Sequence, residues 1–444
     1  MTLPAHLQAV LGRARAENRP LVEGRVQSLL GVAIEVTGLR AVVGDLCTIH
    51  GVRAEVPAEV VGFRQDLAIL MPLGESAGIG PFDPVINHGR PLAVPVGEQL
   101  LGRVVDALGR PVDGGGPLRG EERAVTADAP AALTRTPIRK PITTGIAAID
   151  GFLTCGKGQR IGIFAGSGVG KSSLLGMIAR GSSAQVNVIA LIGERGREVR
   201  DFIEESLGPE GMRRTIIVVA TSDAPAMLRM KGAFTAVAIA EAFRERGKDV
   251  LFMMDSVTRF AGAVREIGLA AGEPPTLRGY PPSLFAQLPK LVERLGSDGK
   301  GTITGMITVL VDGDDMNEPV ADAVRGYLDG HIVLSRQIAA RGRFPAVDVL
   351  NSISRLMDRV VGQDHQRAAR AVRELLAVHE ENRDLVQVGA YRKGSDPTLD
   401  RALSKIAAIE SLLYQGKDAR TFADTQKRLL EIAADSVSGL RMAD

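Results

Sequence analysis

The sequence predicts an α/β protein: a parallel sheet with helices on both faces, a small antiparallel β-barrel before it and a helical domain after it. Three observations predict this. Residues 159–173, QRIGIFAGSGVGKSS, run from an apolar strand through a glycine-rich turn into a helix. From residue 146 onward, apolar strand-like runs alternate with helical patterns. Between residues 21 and 92, short β-type runs are punctuated by Gly, Asp and Pro.

The glycine-rich turn sets the chemistry. Residues 161–164 read as a buried strand; Gly166, Gly168 and Gly170 follow; Lys171, Ser172 and Ser173 open the helical run LLGMIA. This order of strand, loop and helix is that of a P-loop. Its glycines let successive N–H groups turn inward around a polyphosphate, and the helix start adds partial positive charge. The predicted cradle comprises Ala165, Gly166, Ser167, Gly168, Val169, Gly170, Lys171, Ser172 and Ser173. Lys171 is expected to reach the β- and γ-phosphates of ATP, and the Ser172 hydroxyl to hold Mg²⁺. The pattern wants glycine at position 165, where alanine stands. One added methyl leaves the loop expected to survive.

Composition bounds the rest. A chain of 444 residues should hold two or three domains. Its 45% hydrophobic and 24% charged residues suit a globular protein. No apolar run approaches the ~20 residues that span a bilayer. The first 20 residues lack a signal-peptide core, so the expected location is cytosolic. A net charge of +2 argues against a nucleic-acid-binding surface. Cys47 and Cys155 are far apart, and the six histidines are scattered, which disfavours zinc and a disulfide framework. With no Trp and 4% aromatics, platforms for stacking bases are scarce.

Taken in order, residues 1–20 read as an amphipathic tail with Leu3, Leu7 and Leu11 at four-residue spacing and Arg13, Arg15 and Arg19 near its end. Two readings fit: a frayed terminus, or a docking helix for a partner or an acidic lipid surface. Residues 21–92 form the barrel from the runs GRVQSLLGVAIEV, DLCTIHG, AEVVGF and LAILMPL. Residues 93–355 hold the α/β core, and its Gly/Pro-rich first part, 93–145, links it to the barrel. Strands are expected at 186–192, 215–220, 250–254 and 303–311, with a helix over 225–246 ending before Gly247. Residues 356–444 form the helical domain, with one helix in AARAVRELLAVHEENRDLV and another starting at Asp396, Pro397 and Thr398.

Two carboxylates complete the chemistry. The strand VLFMMD ends in Asp255, which fits a role in the shell of the metal. Glu194 follows the strand VNVIALIG, where a carboxylate at the carboxyl end points into the ligand crevice and can act on the attacking water. Both also fit helix caps when taken alone. Arg195, beside Glu194, is placed to contact phosphate or a neighbouring subunit.

The run GERGREVRDFIEESLGPEG, with FAGSGVGKSSLLGMIAR before it and GEPPTLRGYPPSLFAQLPKLVERLG after it, resembles the ATPases of type III protein export. That family is similar to the catalytic subunits of rotary ATP synthases and has a RecA-like core. The resemblance covers roughly residues 21–440, and FLTCGKGQRIG, DGHIVLSR, FPAVDVLNSISRLM and VGAYRKGSDPTLD fit it. The last segment looks more like the flagellar branch than the injectisome branch.

The resemblance assigns further roles. Arg355, in SISRLM, matches an arginine finger presented across a subunit boundary; such a group is worth ~10³–10⁵ in rate. Phe344, in FPAVD, matches the aromatic that stacks on adenine, and Tyr391 is expected to border the same pocket. Asp314, Asp315 and Asn317 match a loop facing a central stalk, although by themselves they read as a solvated acidic turn. The implied assembly is a homohexamer at the inner face of the cytoplasmic membrane. Its implied partners are a regulatory stator-like protein at the N-terminus, a central stalk, export chaperone–cargo complexes and a membrane export gate. Rival readings are a rotary ATP synthase subunit, a hexameric RNA translocase and a non-catalytic nucleotide-binding subunit. The aromatic-poor barrel speaks against the second, and Glu194 against the third.

Overall fold

The computed structural model describes residues 22–311, 315–316 and 318–437. The predicted N-terminal tail, Asp314 and Asn317 lie outside the described residues. The chain forms two units: one made of the residues to Leu92 with 267–273, and one made of the rest.

The first unit is a closed antiparallel barrel of six strands, as its punctuated runs predict. They are β1 (Val22–Leu30), β2 (Ala33–Thr37), β3 (Leu46–His50), β4 (Glu55–Arg64), β5 (Leu67–Pro72) and β6 (Pro84–Asn87), paired in the order β1-β2-β5-β4-β3-β6. Alternate residues such as Ile34, Val36, Ile49, Val60 and Leu70 fill the interior. Gly31, at φ 63, makes the tight turn between β1 and β2, a left-handed position that side chains resist. Cys47 points inward, and burial pushes its thiol up to about 12, so it is a core residue and not a reactive one.

The second unit is built on a mostly parallel sheet. Its strands are β7 (Val104–Asp106), β8 (Arg160–Ala165), β9 (Val186–Ile192), β10 (Thr215–Ala220), β11 (Asp249–Asp255), β12 (Thr302–Leu310), β13 (Gly330–Leu334) and β14 (Val347–Ser354). The order is β14-β13-β8-β12-β11-β9-β10-β7, with the short strand Gly296–Ser297 added to β12. Every neighbour in that path is parallel except β14, which runs back along β13. All seven residues of β9 are buried, as a strand covered on both faces requires. β7 lies inside the stretch read as a linker. At three residues it is too short to show periodicity, and pairing with β10 alone makes it a strand.

The principal helices are α1 (Ala147–Phe152), α2 (Lys171–Gly181), α3 (Gly196–Asp201), α4 (Ala226–Glu245), α5 (Arg336–Ala340), α6 (Gln363–Glu381), α7 (Pro397–Leu413) and α8 (Phe422–Val437). α4 follows Pro225 and stops before Gly247, at φ 77, as expected. α7 starts at Asp396, whose carboxylate accepts from the N–H groups of Thr398 and Leu399. Val372, Leu376, Leu412 and Leu429 of the last three helices share one apolar core with Ile163 and Leu174 beside the glycine-rich turn. Among the described residues no helix is long and apolar enough to cross a membrane.

Two buried polar groups brace this unit. The Arg294 guanidinium, 1% exposed, makes paired hydrogen bonds to Glu241 at 2.9 and 2.6 Å and donates to the Val125 carbonyl at 2.8 Å. Its charge is tolerable only because each face is matched. Asp150 of α1 is fully buried and accepts from Thr144 N–H (2.9 Å), Thr144 Oγ1 (2.7 Å) and Gly145 N–H (3.0 Å). Burial outweighs these bonds and pushes its carboxyl up to about 6. The protonated form is therefore favoured in the fold. That contribution is complete below pH 4 and is lost as pH rises through 6. The stability difference between wild type and Asp150→Asn should move against wild type by ~3 kcal/mol between pH 4 and pH 7. Denaturant melts at several pH values check this, and a flat difference contradicts it.

Candidate nucleotide site

β8 ends at the buried Ala165, and the turn 166–170 delivers the chain to α2. Gly168 (φ 78) and Gly170 (φ 89) take left-handed conformations, which is why the sequence needs glycine there. Val169 is buried and anchors the turn, while Ser167 and Gly168 face solvent. A side chain on Gly166 would begin 2.6 Å from the Arg336 guanidinium. On Gly170 it would begin 3.5 Å from the Phe344 ring. The loop thus has an arginine against one glycine and an aromatic against another.

The far end of α2 is held by Arg214. Its guanidinium donates to the carbonyls of Ala179 (2.9 Å), Arg180 (2.7 Å), Ser182 (2.8 Å) and Ala184 (2.8 Å). A cation on carbonyls that the helix leaves unpaired suits the helix dipole and fixes the direction in which α2 aims its N-terminus.

The carboxyl ends of three strands of the sheet meet at that N-terminus. Lys171 opens α2 after β8; Asp255 ends β11; Glu194 follows Gly193 beyond β9. The Lys171 ammonium contacts Asp255 Oδ1 and lies 3.6 Å from Glu194 Oε1. Thr308 Oγ1 of β12 donates to Asp255 Oδ1 at 2.8 Å. Burial, then the Asp255 charge, push the Glu194 carboxyl up to about 7, and Lys171 opposes them. Its Oε1 is buried without a hydrogen-bond partner among the described residues. A carboxyl with that environment can hold or take up a proton near neutrality.

The donor set fits Mg²⁺. The exposed Ser172 hydroxyl at the helix start and the buried Asp255 carboxylate are hard oxygen donors, and they stand on either side of Lys171. Ser173 is also exposed on the first turn.

The other predicted residues lie outside this charge cluster. Arg195 immediately precedes α3, mostly exposed, with its guanidinium 3.7 Å from Glu198. Phe344 is 42% exposed, with its ring beside Gly170 of the loop. The Tyr391 hydroxyl lies 3.0 Å from the Asp396 carbonyl and 2.9 Å from Asp400 Oδ1, so its hydrogen bonds belong to the start of α7. Arg355 is exposed just past β14, and its N–H donates to the Asp329 carbonyl. Ser354 pairs with Gly330, and His331 pairs with Gly162 near the amino end of β8. The loop begins at the carboxyl end of β8, about 16 Å further along the sheet at ~3.3 Å per residue. One side chain does not span that distance, so Arg355 lies out of reach of its own loop.

The structure adds residues that the sequence reading passed over. Arg336 opens α5, whose preceding Ser335 accepts from Ile338 N–H. Arg259 packs on Gly193, where a side chain would begin 2.7 Å from its Cβ. Tyr414 lines a cleft of about 450 Å³ with Ile338, Gly342, Arg343 and Ser411. Arg343 and Tyr414 are chain neighbours of Phe344 and Gln415, and Gln415 N–H donates to the Phe344 carbonyl at 2.8 Å. The available signal for Arg259 was its place one turn after Asp255; Tyr414 had only its place at the end of a helix.

A P-loop with a strand-end aspartate, a second carboxylate and an aromatic flank on a parallel sheet defines a P-loop ATPase of the ATP synthase type. Residues 145–354 match the nucleotide-binding domain of the ATP synthase alpha/beta family, and residues 361–431 match the type III secretion EscN ATPase C-terminal domain. The flagellum-specific ATP synthase of Bacillus subtilis is 53% identical over 399 residues, covering 89% of this chain and 91% of that one. The type 3 secretion system ATPase of Xanthomonas euvesicatoria is 50% identical over 415 residues, covering 93% and 94%. The structure of the assembled ATPase EscN from the enteropathogenic E. coli type III secretion system superposes with a TM-score of 0.87 at 44% identity, covering 92% of this chain and 99% of that one. The chain belongs to the type III export ATPase family.

Lys171→Ala should lower phosphate release from ATP at least ~10²-fold, the scale of losing one aimed charge in a preorganised site. Circular dichroism should be unchanged. Wild-type turnover in this variant contradicts the assignment of the loop.

Proposed function

We propose that the chain hydrolyses Mg-ATP in a homohexameric ring and that turnover drives chaperone release and protein export through the flagellar type III apparatus. One observation carries the enzymatic part: Lys171, Asp255 and Glu194 converge at the carboxyl ends of the strands, with Glu194 poised to titrate near neutrality. Loop amides and Lys171 bind the β- and γ-phosphates. Ser172 and Asp255 would hold Mg²⁺, which would supply neutralisation of phosphate charge. Glu194 orients the attacking water and takes its proton. Phe344 and Tyr414 face the base. Catalysis is then positioning plus electrostatics.

Arg355 supports the ring. It is exposed at the opposite end of the sheet from its own loop, so it serves a neighbour's γ-phosphate in trans. Glu194 and Arg355 are both on one chain, so identical subunits complete each other's sites. The flagellar branch is favoured by the match to the Bacillus subtilis relative; the Xanthomonas protein and EscN keep the injectisome as the second reading. EscN has also been solved in complex with its central stalk EscO, which supports a stalk partner here. Further proposed partners are a stator-like regulator at the N-terminus, chaperone–cargo complexes and the export gate, at the inner face of the cytoplasmic membrane.

Glu194→Gln should keep nucleotide affinity and lower kcat by ~10²–10⁴, the usual contribution of a positioned base. Nucleotide titration beside phosphate release measures both, and lost binding would make Glu194 structural.

Arg355→Ala and Lys171→Ala should each be almost inactive alone. Mixed before assembly, they should regain activity, because random mixing pairs an intact loop with an intact finger at about a quarter of the interfaces. No recovery in mixtures that co-assemble by sizing would remove Arg355 from the neighbouring site.

A further inference from the structure

The turn that joins α7 to α8 is tied to three parts of the nucleotide unit. Gln415 within it is only 4% exposed. Its main-chain N–H donates to the Phe344 carbonyl at 2.8 Å. Its side-chain oxygen accepts from Ala147 N–H at 2.9 Å, where α1 begins. Its side-chain nitrogen donates to the carbonyls of Gly145 (2.7 Å) and Asp418 (2.8 Å). Further along, a side chain on Gly145 or on Gly181 would begin 2.9 Å from Ala419 Cβ. Gly181 ends α2, and the Arg180 guanidinium of the same helix donates to the Lys417 carbonyl at 3.2 Å. The turn therefore touches the aromatic platform, the start of α1 and the far end of the P-loop helix.

We propose that Gln415 is the positioning residue of the base subsite. It does not face the base; it sets where Phe344 stands. The Phe344 ring is half exposed, so side-chain packing alone does not fix it against Gly170. The main chain behind the ring does, and the Gln415 N–H holds that main chain. Gln415 is itself held by three side-chain hydrogen bonds, and the two buried ones, to Ala147 and Gly145, are costly to leave unmade at low dielectric. α1 and α2 share one apolar core with the loop, so these bonds set the ring and the phosphate cradle in one register. A ligand that carries an aromatic base above its phosphates gains from that register; a bare polyphosphate does not.

This inference rests on the ATPase reading above. Gln415→Met keeps the volume and removes the three side-chain bonds. It should raise KM for ATP about fivefold to tenfold, the scale of one or two net hydrogen bonds, with kcat at saturation within about twofold. Inhibition by tripolyphosphate, which occupies the cradle without a base, should be unchanged. Phe344→Ala should raise KM too, and adding Gln415→Met to it should raise KM little further, since both act through one ring. Equal weakening of ATP and tripolyphosphate would make Gln415 a general brace and overturn the proposal, as would an unchanged KM. If Gln415→Met melts below the assay temperature, Gln415→Glu, which keeps the oxygen facing Ala147, takes the same comparison. Wild-type protein that hydrolyses ATP without inhibition by tripolyphosphate would also overturn it; wild-type protein that binds neither would instead remove the P-loop reading beneath it.

Discussion

The ammonium of Lys171, held between the carboxylates of Asp255 and Glu194, is the interaction on which the site depends. Two carboxylates and one ammonium largely withdrawn from water are unfavourable singly. Together they neutralise part of each other, and Thr308 donates to the same Asp255 oxygen, Oδ1, that Lys171 contacts. Burial, then the charge of Asp255, pushes the Glu194 carboxyl up toward neutrality. The same group that would be a liability in an ordinary core becomes one that can exchange a proton at working pH.

That charge cluster exists because of the sheet. β8, β11 and β9 all end at one edge, and parallel pairing keeps their ends together. The reversal at β14 has the opposite effect. It carries Arg355 back to the amino edge, next to Asp329 and the start of β8. The glycine-rich loop thus stands at one edge of the sheet and Arg355 at the other, and the proposed ring of identical chains rests on that separation.

Legibility followed chain proximity. The loop, Asp255 and Glu194 were readable because each is a short-range signal: glycine spacing before Lys-Ser, or a carboxylate just after an apolar run. The barrel and the last helices were readable from punctuation and from three- and four-residue spacing. β7 was not, because three residues carry no period. Arg336, Arg259 and Tyr414 were not, because nearness to Asp255 or to a helix end is too weak a local mark to single out one residue. Each becomes notable only through what folding sets against it: Gly166, Gly193 and the cleft beside Phe344. Tyr391 shows the converse, since a tyrosine in a matching segment makes its hydrogen bonds at the start of α7.

The sequence by itself determined the fold class and the family, and it marked the glycine-rich turn and the two carboxylates that stand at strand ends. These rest on residue type and spacing, which need no knowledge of distant contacts. Only the tertiary structure decided which groups share a site. It put Arg355 out of reach of its own loop, set Phe344 against Gly170, and packed the turn around Gln415 onto the end of the P-loop helix. Those pairings join residues up to 270 positions apart, as Gln415 and Gly145 are. Contacts of that separation depend on strand order and helix docking, which no local pattern encodes.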